Sequence, residues 1–274
     1  MNLVWAVLIT AVVTAAAVGA MLLVRRRAPE GSYFADGDRA AGVFGVLATG
    51  FAVLLGLVVV LAFTSYDKSK SGADAEANLT RQLFENAQFM PPSATRRLSG
   101  EVVCYGRFVV FDEWPRLEQG KHENEFNPWG IRLFRTTQNV DPRTPSEQAA
   151  FGKWLDQLSD TEQARTDRIH GAQGVIPSPL WVVLFLTGGV IFAFILFFAD
   201  SGERAVSQAM LMGSVAVVVT VTLILLWFLD NPYHGGFGSL QPVAMERTLD
   251  ALDEGRRIVG QRGPLPCDGE GHAR

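Results

Sequence analysis

The chain has 274 residues, of which 48% are hydrophobic and 19% are charged, and its formal net charge is −4. A net negative charge argues against a nucleic-acid partner, which would require a basic surface. The mean hydropathy of +0.17 is an average over strongly apolar and strongly polar segments, a mixture that is not typical of a cytosolic enzyme.

Four stretches contain no Asp, Glu, Lys, Arg or His: residues 3–24, 41–64, 180–199 and 209–229. Each has 20 to 24 residues, and about 20 apolar helical residues cross the hydrocarbon core of a bilayer. We therefore predict an all-α, polytopic protein of the cell (cytoplasmic) membrane with four transmembrane helices. The lipid bilayer is its first expected partner.

The four spans divide the chain into four predicted segments. Residues 1–65 hold the first two spans and a short Arg-rich loop, and residues 179–230 hold the other two. Residues 66–178 are too many for a simple connection, so we predict a helical extramembrane domain inserted between the second and third spans. Residues 231–274 are predicted to be an extramembrane tail with a short helix and a disordered end.

Basic residues give an orientation for these spans. Three arginines at positions 25–27 follow the first span, whereas no charged side chain precedes it. Because positive residues concentrate on the cytoplasmic side, the N-terminus, the insert and the tail are predicted to be extracytoplasmic. Lys68 and Arg165, near the membrane on the opposite side, weaken this bias.

The chain has two cysteines, one in the insert and one in the tail. Either orientation puts Cys104 and Cys267 on the same side of the membrane. A disulfide between them is possible if that side is oxidising. The alternative is that Cys104 is a small buried hydrophobe and Cys267 a free thiol.

The insert has the periodicity of helices. Residues 67–89 continue the second span without a strong break, and the prolines at 91 and 92 end that helix. Ser93 is predicted to cap a second helix, which Trp114 and Pro115 close. A loop from 116 to 140 is expected to hold a short helix near residues 126–134.

Two more helices are predicted outside the spans. Thr144, Pro145 and Glu147 supply an N-cap, a first-turn proline and a capping-box acid for a helix that runs to about His170. Its buried face is predicted to consist of Phe151, Trp154, Leu155 and Leu158. In the tail, residues 242–252 are predicted to form a short amphipathic helix through Val243, Met245, Leu249 and Leu252.

Small residues recur along one face of the second span, at spacings of three and four: Gly42, Gly45, Thr49, Ala52 and Gly56. Such a stripe is typical of close helix–helix packing. The alternative is that it faces an axis shared by several subunits and leaves room for ions. Val59, Val60 and Phe63 continue this face, either as a hydrophobic constriction of a pore or as ordinary lipid or core contacts.

Motifs of other functional classes do not stand out. The histidines are scattered, and neither a zinc-protease spacing nor a phosphate-binding glycine loop is present, so we predict no enzyme, no cofactor and no metal site. His122, Glu123 and Glu125 form a weak candidate for cation binding, but a solvated loop is the better interpretation. Spans without ionisable residues also disfavour coupled transport.

A set of motifs in a particular order covers nearly the whole chain: Glu76, Asn78, Tyr105, Glu113, Trp114, Pro115, Arg165, Arg168, Trp181, Asp230, Pro232 and Gly235. With these motifs placed around two helix pairs, the chain resembles the bacterial bestrophin-like membrane proteins. That resemblance implies a distant likeness to bestrophins, which are pentameric ion channels with four membrane helices and a large helical domain between the second and third.

The resemblance implies a homo-oligomer, a pentamer by analogy, that conducts permeant ions passively through a pore lined by the second helix. Bestrophins carry an apolar neck on that helix, which would correspond here to Val59, Val60 and Phe63. They keep both termini and the inserted domain in the cytoplasm, opposite to the orientation that the arginines predict. The alternative function is a non-conducting structural or sensing membrane protein whose extramembrane domain binds a partner.

Overall fold

The computed structural model describes residues 3–121, 127–261 and 263–274, and its regular structure is helical apart from one isolated antiparallel bridge between Cys267 and Ala273. The helices are α1 (Leu3–Arg25), α2 (Gly37–Ala87), α3 (Pro92–Phe108), α4 (Trp114–Glu118), α5 (Pro128–Thr137), α6 (Pro145–His170), α7 (Ser178–Leu196), α8 (Ala205–Asp230) and α9 (Val243–Ile258). A π-helical segment, Val109–Glu113, joins α3 to α4, and a 3-10 turn, Gly171–Gln173, follows α6. The predicted all-α class is confirmed.

The chain folds as two compact units. The membrane unit comprises Met1–Ser65, Gly174–Asn231 and Gly236–Gly238. The extramembrane unit comprises Tyr66–Gln173, Pro232–Gly235 and Ser239–Arg274. Helix α2 has 51 residues, more than twice the number that crosses a bilayer, and it contributes residues to both units.

The membrane unit contains the four apolar helices α1, α2, α7 and α8, each long and apolar enough to span a membrane, as the sequence predicts. Helix α1 packs chiefly against α8. The core of the unit includes Phe51 of α2, Leu184 of α7 and Met212 of α8. Many other apolar side chains of these helices point away from this core and are exposed, which suits contact with hydrocarbon or with other transmembrane helices.

Helix α3 lies in the core of the extramembrane unit. Leu98, Val102 and Cys104 on α3 are completely buried. Trp129 of α5 and Trp154 of α6 are buried in the same core. Since burying a large apolar side chain stabilises a fold by about 1.5–3 kcal/mol, this aromatic and aliphatic core accounts for the folding of the insert.

The start and end of α6 follow from its capping residues, and this prediction is confirmed. The Thr144 hydroxyl accepts a hydrogen bond from the Glu147 N–H, and the Glu147 carboxylate accepts one from the Thr144 N–H. Pro145 occupies the first turn, and the helix ends at His170. Of the predicted buried face, Trp154 is fully buried, but the prediction is wrong for Leu155, which is 47% exposed because it lies on the solvent side of the helix.

The predicted boundaries of α3 are wrong at both ends. Pro91, not Ser93, is the N-cap residue, and no side chain caps the helix. Trp114 and Pro115 do not close the helix, because the chain continues through the π-helical segment into α4. There the Trp114 N–H donates to the Val109 carbonyl, five residues back, and this wider turn accommodates the following proline.

The short helix of the loop region lies slightly later than predicted. Helix α5 begins at Pro128, and its N-cap residue Asn127 accepts a hydrogen bond from the Trp129 N–H. Residue 126, the predicted start, and the candidate cation ligands His122, Glu123 and Glu125 lie outside the described residues.

The end of the tail is folded, contrary to the expectation of disorder. Leu265 packs against the core of the extramembrane unit, and Cys267 is completely buried. The Asp268 N–H donates to the His272 carbonyl at 2.9 Å. Gly271 lies directly against the backbone of Phe108 on α3, with no room for a Cβ atom. The burial of Cys267 and the close approach of Gly271 to α3 therefore offset the polar composition of this segment.

Candidate functional site

Among the described residues, the glycines on the small-residue face of α2 have open space around them. A Cβ atom added at Gly42, Gly45 or Gly56 would meet no other atom within 4 Å. Thr49 and Ala52, between these glycines, are exposed as well. Close packing against another helix of the same chain therefore does not explain the stripe.

The opposite face of α2 is the one that packs within the membrane unit. Phe51, Leu55, Val58 and Ala62 on this face are each at most 7% exposed. Helix α2 thus contributes this side to the core of the membrane unit, where the Phe51 ring lies next to Gly188 of α7.

The three apolar residues that follow the stripe do not all share its exposure. Val60 is 63% exposed and Phe63 is 55% exposed. Val59 is partly buried and packs against the core of the membrane unit. Of the predicted constriction, Val60 and Phe63 thus continue the free face, and Val59 lies towards the packed side.

Several of the family-motif residues meet in a buried charge cluster of the extramembrane unit. Arg168 of α6 donates through Nε to Glu76 of α2 and through Nη2 to Glu113 of the π-helical segment. Arg165, one turn earlier on α6, donates to Glu113 at 3.1 Å. Tyr105 of α3 donates its hydroxyl proton to Glu76 at 2.6 Å. Two carboxylates are thus balanced by two guanidinium groups.

Two aromatic residues contact Arg168, one at its guanidinium group and one at its backbone carbonyl. The guanidinium carbon lies 5.5 Å from the centroid of the Trp114 ring, a cation–π distance. The Tyr233 hydroxyl donates to the Arg168 carbonyl at 2.5 Å, and the Trp114 and Tyr233 rings meet edge to face. Residues from three other parts of the chain, Glu76, Glu113 with Trp114, and Tyr233, therefore contact this one arginine.

In the cluster, opposite charges outweigh the effect of burial on the pKa values of Glu113 and Arg168. Burial would raise the pKa of the Glu113 carboxyl, but Arg168 and Arg165 outweigh burial and lower that pKa below its ordinary value. Burial would lower the pKa of Arg168, but Glu76 and Glu113 raise it well above its ordinary value. For Tyr105, burial and then the neighbouring carboxylates raise the pKa. The attraction between Glu113 and the two arginines thus outweighs the cost of burying them.

The cluster requires a close approach of α2 to α6, which a glycine permits. A Cβ atom at Gly72 would collide with the backbone nitrogen of Arg168 and would lie 2.8 Å from the Ala164 carbonyl oxygen. Gly72 was not among the residues that sequence reasoning selected. The available signal was its spacing of four residues before Glu76 on the same helix face.

The two cysteines are bonded to each other in the structure. The sulfur atoms of Cys104 on α3 and Cys267 in the tail are 1.99 Å apart, and the Cα atoms are 5.8 Å apart. The bond joins residues that are 163 positions apart in the sequence. It fixes the end of the tail to the centre of the extramembrane unit.

Two further motif residues make contacts within the membrane unit. Asp230 ends α8 and accepts hydrogen bonds from the N–H groups of Val175 and Ile176, at 2.7 and 2.9 Å. Trp181 lies near the start of α7 and stacks on Phe185. The Asp230 hydrogen bonds tie the segment that precedes α7 to the end of α8.

Three of the other motif residues contribute to local structure, and nothing in the structure explains the fourth, Asn78. Pro115 lies in α4, the Pro232 carbonyl accepts the Leu240 N–H at 2.8 Å, and Gly235 adopts a φ of 63° that favours glycine. Asn78 is exposed on α2, away from the buried cluster.

Comparisons with known proteins agree with this architecture. A family model for the bestrophin-like domain matches residues 11–245. Two crystal structures of variants of a bacterial bestrophin homologue from Klebsiella pneumoniae align with TM-scores of 0.67 and 0.59, at 14% and 15% identity. The first alignment covers 94% of this chain and 99% of that chain, and the second covers 82% and 88%.

A further crystal structure, of a membrane protein, aligns with a TM-score of 0.64 at 14% identity, over 92% of this chain and 99% of that chain. Identities this low support the fold alone. No curated protein matches the chain.

Proposed function

The chain belongs to the bestrophin-like family, and we propose that several copies of it assemble in the cytoplasmic membrane around a passive ion pathway lined by α2. The observation that carries this proposal is the free face of α2. A Cβ atom at Gly42, Gly45 or Gly56 would meet no atom of the described residues within 4 Å, whereas the opposite face of the same helix is packed. In an oligomer whose α2 helices turn this face towards a common axis, the small residues line the ion pathway.

The residues along the free face suit passive permeation. Thr49 brings a hydroxyl group to the wall of the pathway, and the glycines leave space for hydrated ions and expose backbone carbonyls. Val60 and Phe63 are proposed as the hydrophobic constriction, with Val59 at its edge, since an apolar ring gates a pore by dewetting. The spans lack ionisable residues, which favours a channel over a coupled transporter.

Assembly follows from the same reasoning, because one α2 helix cannot enclose a pathway. A homo-oligomer is needed, and a pentamer is proposed from the resemblance to bestrophins. Its partners are then the bilayer lipids, the neighbouring copies and the permeant ions.

We propose that the N-terminus, the extramembrane unit and the tail are extracytoplasmic. The three arginines after α1 support this orientation. The Cys104–Cys267 disulfide supports it as well, because such bonds persist in oxidising compartments. Fusions of alkaline phosphatase and of green fluorescent protein to the C-terminus test it. Phosphatase activity supports the proposal, and fluorescence without phosphatase activity overturns it.

The channel proposal is tested by current recordings from the purified full-length protein in planar bilayers under an asymmetric KCl gradient. Gly56→Trp places a large ring on the free face and is expected to abolish or strongly reduce the current. Leu57→Trp is the matched control, because it adds a ring to an exposed position one residue away, about 100° around the helix. The control is expected to conduct like the unmodified protein.

Three outcomes are informative. Current that is lost in Gly56→Trp and kept in Leu57→Trp supports a pathway along α2, and its reversal potential gives the charge preference. Equal currents in both variants overturn the assignment of the lining. Repeated silence from a well-folded oligomer favours the alternative, a non-conducting structural or sensing protein whose extramembrane unit binds a partner.

A further inference from the structure

The extramembrane unit contains a cavity of about 740 Å³ between α3, α5, α9 and the end of the tail. Five arginines line it: Arg96, Arg97, Arg132, Arg135 and Arg256. Pro264, Leu265 and Pro266 of the tail form another wall. Gly100 of α3 allows this wall to approach, since a Cβ atom there would lie 3.1 Å from the Pro266 ring.

The positive charge of this cavity is poorly balanced. Glu101 is the one carboxylate among the described lining residues, against five arginines. Within that part of the chain, Arg96, Arg132 and Arg135 have no carboxylate within ion-pair distance. The imbalance contrasts with the formal net charge of −4 for the whole chain.

Glu101 is the ion-pair partner of one of these arginines, Arg97. Its Oε1 atom accepts hydrogen bonds from Arg97 at 3.0 Å and from the Thr136 hydroxyl at 2.9 Å. The side chain is only 4% exposed, and its Oε2 atom has no hydrogen-bond partner among the described residues. Burial also raises the pKa of this carboxyl. Among the described residues this leaves Arg96, Arg132 and Arg135 without an ion pair, whereas Arg256 lies 3.9 Å from Asp253.

The start of α3 adds to the positive potential. The helix has no side-chain cap and no acidic residue in its first turn, and Ser93 in that turn lines the cavity. A helix N-terminus carries a partial positive charge, so Arg96 and Arg97 lie at the end of the helix that is least favourable for them. Such an arrangement costs stability unless an anion occupies the cavity.

We propose that this cavity binds a small soluble compound carrying two or more phosphate groups. Guanidinium groups present planar pairs of N–H donors that match phosphate oxygens, and phosphate oxygens accept donors from several sides at once. Arginines on three helices converge from different directions, an arrangement that fits tetrahedral oxyanions better than a flat carboxylate. The volume exceeds the space that one phosphate ion needs and lies within the range of small-molecule sites.

The proposal is independent of ion conduction, so its test is a binding measurement. Sodium tripolyphosphate is titrated into the purified full-length protein in detergent, and the heat of binding is recorded at low and at moderate salt. One saturable site per chain is expected, with an affinity that falls as salt rises. Citrate serves as the carboxylate probe of similar charge.

Variants locate the site. Arg132→Gln and Arg135→Gln are each expected to weaken binding about tenfold or more, since each removes charge-assisted hydrogen bonds. Arg135→Lys, which keeps the charge but loses the paired donors, is expected to weaken it less. Arg143→Gln is the matched control, because Arg143 is exposed and does not line the cavity, and its affinity is expected to remain unchanged.

Three results would overturn the proposal. The first is the lack of a saturable heat of binding, and the second is an equal loss in the Arg143→Gln control. The third is binding of citrate as tight as that of tripolyphosphate, which would replace the phosphate assignment with general anion binding. Thermal unfolding of each variant without ligand shows that a lost site is not a lost fold.

Discussion

The guanidinium group of Arg168 and the carboxylate of Glu76 form an ion pair in which neither side chain is exposed to solvent. The pair joins α6 to α2, and Glu113 of the π-helical segment binds the same guanidinium. Burying charges is costly, and their mutual attraction offsets that cost only when each has its partner. The cluster therefore behaves as one structural element of the extramembrane unit.

Replacement of Arg168 by methionine should strongly destabilise the extramembrane unit. Arg168→Met keeps an apolar side chain of similar length but leaves Glu76 buried without its counter-charge. We expect the free energy of unfolding to fall by about 3–5 kcal/mol, measured by thermal or denaturant unfolding in detergent. Arg143→Met is the control, because the Arg143–Asp141 pair is 83% and 77% exposed, and a change within about 0.5 kcal/mol is expected.

A double variant distinguishes the effect of a lost ion pair from the effect of lost packing. The double variant Glu76→Gln with Arg168→Met removes both charges of the pair, and Glu113 keeps Arg165 as its partner. It should be less destabilised than the sum of the two single variants. Additive effects would contradict the interpretation of the cluster as a coupled element.

Acid should destabilise the protein through Glu113. The folded pKa of this carboxyl is lowered below its ordinary value of 4.5, because Arg168 and Arg165 outweigh the effect of burial. A lowered folded pKa gives stability that is present above the unfolded pKa and lost as pH falls through the folded pKa. The unfolding temperature should therefore decrease as pH falls below about 4.5.

The variant Glu113→Gln isolates this contribution. It cannot ionise, so it should unfold at a lower temperature than the unmodified protein near pH 7, and the difference should shrink in acid. A difference that stays constant from neutral to acidic pH would show that Glu113 does not carry the effect.

The Cys104–Cys267 disulfide should stabilise the extramembrane unit. The bond links residues 163 positions apart, so it removes many conformations from the unfolded chain. Its loss is expected to cost about 2–5 kcal/mol. A reductant should lower the unfolding temperature of the unmodified protein and leave that of Cys104→Ser unchanged. Free thiols in both cysteines of protein denatured without reductant would contradict this prediction.

The sequence predicts some elements well because their signals are local. Uninterrupted apolar stretches lead to the four spans, and Thr144 with Glu147 defines the start of α6. The tail beyond Gly260 could not be predicted to be folded, because its order comes from a covalent bond and from Gly271 against α3 rather than from its own composition.

The interior of the extramembrane unit depends on distant parts of the chain. The π-helical segment adds one residue to a helical turn, and Glu113 in this segment binds Arg165 and Arg168, which lie 52 and 55 residues away in the sequence. The arginine cavity could not be predicted from the sequence for the same reason, since Arg96, Arg132 and Arg256 lie far apart along the chain.

A methyl group at Gly72 should separate α2 from α6. In Gly72→Ala the new Cβ atom would lie 2.8 Å from both the Ala164 carbonyl oxygen and the Asp167 carbonyl carbon, closer than real Cβ contacts. The helices must move apart, which also stretches the Arg168–Glu76 pair. We expect a loss of about 1–3 kcal/mol in unfolding free energy.

The matched substitution is Gly152→Ala, on α6 in the same unit, where a Cβ atom would meet nothing within 4 Å. Alanine favours a helix interior over glycine by about 0.5–1 kcal/mol, so this variant should be more stable than the unmodified protein. The two Gly→Ala changes should thus shift the unfolding temperature in opposite directions. Shifts of the same sign would mean that the contact at Gly72 does not hold α2 and α6 together, and that the charge cluster tolerates a wider spacing of its helices.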